Sequence, residues 1–176
     1  MNEITSIEVG SNVMQLGDAL CKDMTSLVSV DFSKCGAVDV LPPSGFMGCS
    51  GFKRIDGLTN LTAVGDCEFA GCSNLESVDV PENLIVVGTS AFADCAALSY
   101  VSRLADGDPD HTFDIVGDYA FAGTGIVSAS LALRSSATQT FWGDECFAGC
   151  RNLERVDFLS SCYMSNGMFK DCTKLS

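Results

Sequence analysis

Apolar and polar positions recur along the chain with a period of about 23 residues. The segment 64–81 reads VGDCEFAGCSNLESVDVP, and the segment 142–158 reads WGDECFAGCRNLERVDF. Further copies of this pattern begin at Leu16, Leu41, Val87, Val116 and Met164. The shared pattern is V-G-x-x-A-F-x-G-C-x-x-L-x-x-V-x-V. Recurrence of a multi-position pattern at this spacing indicates a repeat protein in which each repeat forms one coil of a stack.

The end of the pattern predicts a short β-strand in every coil. Apolar and polar residues alternate in L-x-x-V-x-V, as in Leu75, Val78 and Val80, and alternation is typical of strands. One coil is too small to bury its own apolar residues. Stacking the coils at ~4.8 Å creates a common core and a parallel sheet. The A-F-x-G-C segment is too short for a stable helix, so we expect a turn or a single 3₁₀ turn there.

Three columns of the repeat carry most of the structural prediction. We expect the Phe column to form an aromatic stack in the core, the thiol column to hold small buried side chains, and the glycine column to mark a turn that needs positive φ or close packing. The Phe column is Phe46, Phe69, Phe92, Phe121, Phe147 and Phe169, with Cys21 in the first copy. The thiol column is Met24, Cys49, Cys72, Cys95, Thr124, Cys150 and Cys172. The glycine column is Gly17, Gly65, Gly88, Gly117 and Gly143.

The repeat pattern resembles that of the BspA-like leucine-rich repeats, and the resemblance extends from Ile4 to Leu175. It implies a β-rich, leucine-rich-repeat horseshoe with a parallel sheet on the concave face and turns or 3₁₀ segments elsewhere. We therefore interpret residues 1–176 as a single solenoid of about seven repeats. The resemblance also implies an extracellular or cell-surface protein that binds host or matrix proteins or other cells.

Composition and charge exclude several classes of protein. The chain has 10 basic and 23 acidic residues and a net charge of -13, so phosphate backbones are repelled and no nucleic-acid partner is expected. A hydrophobic fraction of 47% excludes a disordered chain. No apolar run reaches the length of a membrane span, so no membrane insertion is expected. Residues 1–10 do not form a signal peptide. With a column of reduced thiols, this favours the alternative of an intracellular scaffold.

The outward positions of the predicted strands form the candidate ligand-binding surface. We predict that they contact a basic protein partner on the concave face. The residues are Glu8, Asp31, Arg54, Asp56, Asp79, Tyr100, Arg155 and Asp157. The alternative interpretation is that aspartate is the ordinary solvated residue at this position of the repeat.

Two repeats are longer than the others, with insertions at 102–112 and 132–140. Both follow a predicted strand in adjacent coils, so we expect them to emerge together at one edge, either as a binding surface or as tolerated surface loops. Asp106, Asp108 and Asp110 resemble the opening of a calcium loop, although His111 and Gly117 stand where such a loop requires glycine and glutamate. A calcium-assisted binder of carbohydrate or matrix is therefore a further alternative.

No catalytic residues, cofactor or metal site are predicted. The chain has one histidine and no Cys-x-x-Cys pair, which argues against zinc. It also has no phosphate-binding glycine loop, and no carboxyl group is expected to have a raised pKa. Most of the ten cysteines are assigned to buried columns, which leaves Cys35, Cys67 and Cys162 without a predicted position. Neither end of the repeat array has a polar cap, so we expect a segment of a longer protein or an oligomer formed through the ends.

Overall fold

The fold is a solenoid of short parallel strands. In the computed structural model, residues 3–105, 113–132, 141–159 and 163–176 are described. The strands and the short helix are, in chain order, β1 (Ser6–Glu8), β2 (Ser29–Asp31), β3 (Val40–Leu41), β4 (Arg54–Asp56), β5 (Ala63–Val64), β6 (Ser77–Val78), β7 (Val86–Val87), β8 (Tyr100–Val101), α1 (Ser102–Ala105), β9 (Ile115–Val116), β10 (Ser128–Leu131), β11 (Phe141–Trp142) and β12 (Arg155–Phe158).

These strands form two separate faces. The L-x-x-V-x-V segments supply β1, β2, β4, β6, β8, β10 and β12, whose outward residues make up what we call the first face. Their pairing is parallel and divides into three short sheets, β1-β2-β4, β6-β8 and β10-β12. The residues before the glycine column supply a continuous parallel sheet of order β11-β9-β7-β5-β3, whose outward side we call the second face. The parallel-strand solenoid predicted from the sequence is confirmed, whereas this second sheet was not predicted.

The Phe column is a continuous aromatic stack inside the core. Ring centroids of consecutive members are 5.5, 5.2, 5.4, 5.5 and 5.8 Å apart from Phe46 to Phe169. Cys21 takes the same position in the first coil and is buried. Since phenylalanine lies over phenylalanine in successive coils, the predicted stacking register is confirmed.

The five cysteines of the thiol column each donate a hydrogen bond to the coil before their own. Cys95 donates its thiol hydrogen to the carbonyl of Phe69, with a sulfur–oxygen distance of 3.0 Å, and Cys72 donates to Phe46 at 3.1 Å. Cys49, Cys150 and Cys172 make the corresponding bond. These side chains therefore contribute a hydrogen bond as well as the small volume that the sequence predicted.

The turn between the glycine column and the thiol column is not helical, as predicted. It contains two positions of positive φ, such as Cys67 (55°) and Gly71 (76°). The glycine column itself is different: Gly65, Gly88 and Gly143 lie outside the left-handed region, and a Cβ at Gly88 would lie 2.6 Å from the carbonyl carbon of Gly65. Close approach of coils, rather than positive φ, is therefore the reason for this column.

The first predicted insertion begins as ordered structure. Ser102–Ala105 is α1, and its Arg103 and Leu104 are buried. The Arg103 guanidinium lies 4.9 Å from the ring centroid of Phe113 and donates to the carbonyl oxygen of Leu84. This part of the insertion joins the core, which corrects the prediction of a surface loop for these four residues. Ala132 is also buried, and the rest of both insertions lies outside the described residues.

Candidate functional site

The outward residues of the first face form in-register rows. Ser6, Ser29 and Arg54 are aligned across β1, β2 and β4, and so are Glu8, Asp31 and Asp56. Ser77 is aligned with Tyr100, and Ser128 with Arg155. The rows read from the sequence are therefore present wherever the strands pair.

The acidic row is interrupted beyond β4. Asp79 is exposed but follows the end of β6, and β4 and β6 belong to different sheets. Ser130, which aligns with Asp157, is buried, with 8% of its surface exposed. The first face therefore has an acidic end formed by Glu8, Asp31 and Asp56, and a separate cluster at β12.

Ion pairs occupy part of this surface. Arg54 contacts Asp56 at 3.1 Å, Arg155 contacts Asp157 at 2.8 Å, and Lys34 contacts Glu8 at 2.7 Å. Because these ion pairs are exposed, each is weak. A charged group of a binding protein can therefore replace either residue of a pair. Hydrogen bonds from Ser33 hold the pKa of the Asp31 carboxyl below its usual value, which keeps that group ionised.

The second face carries an exposed apolar row that was not predicted from the sequence. Its members are Val40, Ala63, Val86, Ile115 and Phe141, aligned in that order across five parallel strands. The residue after each of them is buried. The signal was present as pairs of apolar residues before the glycine column, but two residues are too few to show alternation.

A buried carboxyl group corrects a further expectation. Glu68 has 0% of its surface exposed, and burial raises its pKa to about 8, with a smaller contribution from Asp18. The backbone N–H of Gly45 donates to Oε2 at 2.5 Å. The expectation that no carboxyl group has a raised pKa was therefore wrong. Glu68 stands at the position where the repeat pattern has alanine, as in Ala91 and Ala120.

The described residues hold no group of three or more His, Cys, Asp or Glu side chains arranged to bind a metal ion. Asp106, Asp108 and Asp110 lie outside that part of the chain, so the calcium hypothesis stays a prediction. The nine cysteines that the structure describes are free thiols. Cys35 is buried and Cys67 is half-exposed, whereas Cys162 lies outside the described residues. Within those same residues, no helix has the length and apolar character needed to cross a membrane.

The profile of the BspA-type leucine-rich repeat region matches residues 1–106 and 108–176, in six copies. The chain belongs to this family. Among proteins with curated descriptions, none is significantly similar to it.

Three solved structures share the fold of this BspA-type repeat protein. A leucine-rich cell surface protein from Faecalibacterium prausnitzii is 24% identical over 86% of this chain and 38% of its own, with a TM-score of 0.73. A leucine-rich repeat protein from T. pallidum is 20% identical over 99% of this chain and 79% of its own, with a TM-score of 0.67. One from Bacteroides ovatus is 19% identical over 97% and 65%, with a TM-score of 0.56. The chain thus spans well under half of the Faecalibacterium protein.

Proposed function

We propose that this chain is a non-catalytic protein-recognition module that acts in adhesion or ligand binding at a cell surface. The observation that carries the proposal is the first face, where exposed side chains stand in register across parallel strands on a packed core. Such a scaffold holds side chains at fixed spacing, so the binding surface is preorganised and a partner binds with a smaller loss of conformational entropy.

Charge supports a basic protein as the partner. Glu8, Asp31 and Asp56 are adjacent in one row, and the chain has a net charge of -13. A field of one sign attracts a partner of the other sign and speeds its association. Tyr100, 41% exposed, offers an aromatic contact on the same face.

Surface location is supported by the family and by one structural relative. The Faecalibacterium protein is described as a leucine-rich cell surface protein, and the present chain covers 38% of it. We therefore expect a surface location and a non-catalytic role for this BspA-type repeat protein.

Charge reversal on the first face tests the proposal. We expect Asp31→Lys with Asp56→Lys to reduce binding of the labelled chain to an immobilised extracellular-matrix preparation at least tenfold. The control is Glu76→Lys with Glu82→Lys, which changes the net charge equally at two exposed residues outside these rows. Equal loss in both variants would show a bulk charge effect, and no loss in either would refute a role for the first face.

The alternative of an intracellular scaffold is favoured by the thiols. The nine described cysteines are unpaired, and the thiol column is buried along most of its length. Reduced cysteines are the rule in the cytosol. A thiol titration of the denatured protein, isolated from its natural source without reductant, separates the two: disulfide bonds would remove the intracellular alternative.

A further inference from the structure

The second face presents a continuous apolar row to solvent. Val40, Ile115 and Phe141 have 45%, 47% and 56% of their surfaces exposed, and the half-buried Ala63 and Val86 join them into one row. These side chains do not pack in the core, because the next residue of each strand is the buried one. Single exposed apolar residues are ordinary, whereas a contiguous row across five strands is typical of a contact surface.

An acidic row, interrupted at Pro43 and Thr89, follows the ends of the strands of the second sheet. Asp66, Asp118 and Asp144 each stand three residues after a member of the apolar row. Their Oδ1 atoms accept backbone N–H groups of the next coil, from Thr89 at 2.7 Å, Asp144 at 2.8 Å and Asn166 at 2.9 Å. These bonds hold the carboxylates in place along the edge of the second face.

The strands of the second sheet and the turns after them contribute no basic residue of their own. The five segments that contain its strands and the turns after them, 39–45, 62–68, 85–91, 114–120 and 141–147, include no lysine or arginine. A complementary surface therefore needs an apolar centre and basic residues along one side.

The spacing of side chains along the row indicates the secondary structure of the segment that binds there. Five parallel strands at ~4.8 Å place the first and last side chains about 19 Å apart. The apolar stripe of an α-helix advances ~5.4 Å per turn, whereas same-side residues of an extended strand advance ~6.7 Å. The helix is the closer match, and about 13 helical residues span the row.

We infer that the second face docks an amphipathic helix of a partner protein. The apolar stripe of this helix lies along the row from Val40 to Phe141, and its lysine or arginine residues lie against Asp66, Asp118 and Asp144. A second copy of this chain is a poor occupant, because it brings the same acidic row and the same net charge of -13. This surface is distinct from the first face and goes beyond the recognition role proposed for it.

A synthetic helix tests the inference on the whole chain. The probe is a fluorescein-labelled 14-residue peptide, because ~13 helical residues span the row. It has leucine at i, i+3, i+4 and i+7 and lysine beside this stripe. We expect saturable binding by fluorescence anisotropy, weakening as salt screens the carboxylates. A peptide with glutamate in place of lysine, and one with the same composition scrambled, are expected to bind at least tenfold more weakly.

Variants locate the binding site. We expect Ile115→Ser, and independently Phe141→Ser, to weaken peptide binding at least tenfold, with Val127→Ser as the control at an exposed apolar residue outside the row. Asp66→Asn with Asp118→Asn keeps the oxygens that accept the backbone N–H groups but removes the charge, so we expect weaker binding and a smaller salt effect. Circular dichroism shows which variants retain the native fold.

Three results would overturn the inference: equal binding of the scrambled peptide, unchanged binding by both folded apolar variants, or a dimer in sedimentation that Phe141→Ser dissociates. The first-face variant Asp31→Lys with Asp56→Lys is expected to bind the peptide within threefold of the native chain. Failure of one surface is therefore distinguishable from failure of the other.

Discussion

The carboxyl group of Glu68 lies where a side chain at Gly45 would lie. A Cβ built on Gly45 would be 2.5 Å from Oε1 and 2.8 Å from Oε2 of Glu68. The two residues occupy the same repeat position in adjacent coils, a position that is alanine in Ala91 and Ala120. Two departures from the pattern therefore compensate each other: the missing side chain in one coil makes room for the long one in the next.

The first prediction is a strong coupling between these two residues. Gly45→Ala in the native chain forces the Glu68 carboxyl out of its site, and we expect a loss of about 1–3 kcal/mol in the free energy of unfolding. In the Glu68→Ala background the added methyl group replaces the missing carboxyl. We expect the same substitution to cost at least ~1 kcal/mol less there, measured by urea denaturation of all four proteins.

An uncoupled pair would contradict this packing relationship. Gly10→Ala is the control for the effect of replacing a glycine, because a Cβ at Gly10 meets nothing within 4 Å. Its cost is expected to be the same with Glu68 or Ala at position 68.

The second prediction concerns pH. Burial raises the pKa of Glu68 to about 8 in the folded protein, whereas an unfolded glutamate titrates near ~4.3. The folded state therefore holds the proton more tightly, so the contribution of Glu68 to stability is complete below pH ~4.3 and is lost as pH rises toward about 8. The steepest expected loss is ~1.4 kcal/mol per pH unit.

Glu68→Gln isolates this effect from the other acidic groups. We expect the difference in unfolding free energy, variant minus native chain, to rise between pH 5 and 8 in urea denaturation series. The groups that interact electrostatically with Glu68 are the Asp18 carboxylate and the thiols of Cys21, Cys49 and Cys72. Glu76→Gln, at an exposed residue, is the control and should show no trend. A difference independent of pH for Glu68→Gln would mean that the carboxyl group is ionised in the folded protein.

The sequence predicts the residue columns that recur in every coil, but it does not predict a buried residue that depends on a substitution in a neighbouring coil. The Phe column and the thiol column are visible because one residue type recurs at a fixed spacing, and stacking then follows from the geometry of parallel strands. The buried state of Glu68 depends on a glycine one coil earlier, so no single repeat reveals it. Burial of Arg103 likewise requires the ring of Phe113 and the carbonyl of Leu84, which come together only in the folded stack.

The functional surfaces are predicted to different extents for a similar reason. The rows of the first face follow from the L-x-x-V-x-V segments, in which alternation is readable over several residues, as in Ser6–Glu8 and Arg155–Phe158. The second face follows from strands of two residues, such as Val86–Val87. An apolar pair has no period, so its outward member cannot be told from its inward member until the coils are stacked.

The third prediction tests the glycine column. A Cβ at Gly88 would lie 2.6 Å from the Gly65 carbonyl carbon and 2.7 Å from the Asp66 backbone nitrogen. Backbone atoms cannot move away without separating two coils, so we expect Gly88→Ala to lower the free energy of unfolding by at least ~2 kcal/mol. Gly17 belongs to the same column but meets nothing within 4 Å. Gly17→Ala is therefore expected to change the free energy of unfolding little. Equal losses of unfolding free energy at both positions would rule out coil contact as the cause.

The fourth prediction concerns the reactivity of the thiol column. Burial raises the pKa of Cys49 to about 11, of Cys95 to about 12 and of Cys150 to about 11, so the reactive thiolate is scarce at pH 8. Each of these thiols is also enclosed in the core and donates to a backbone carbonyl. We expect iodoacetamide at pH 8 to leave all three unmodified in the folded protein, as read by peptide mass spectrometry.

Half-exposed Cys67 provides the internal comparison for that experiment. It is expected to be alkylated in the native chain, while the three column thiols react only when urea unfolds the protein. Because a buried thiol reacts through an open state, its rate of labelling also measures how often the coils separate. Labelling of Cys95 as fast as Cys67 in the absence of urea would show that the coils open freely, and the thiol column would then not be the rigid connection that its hydrogen bonds indicate.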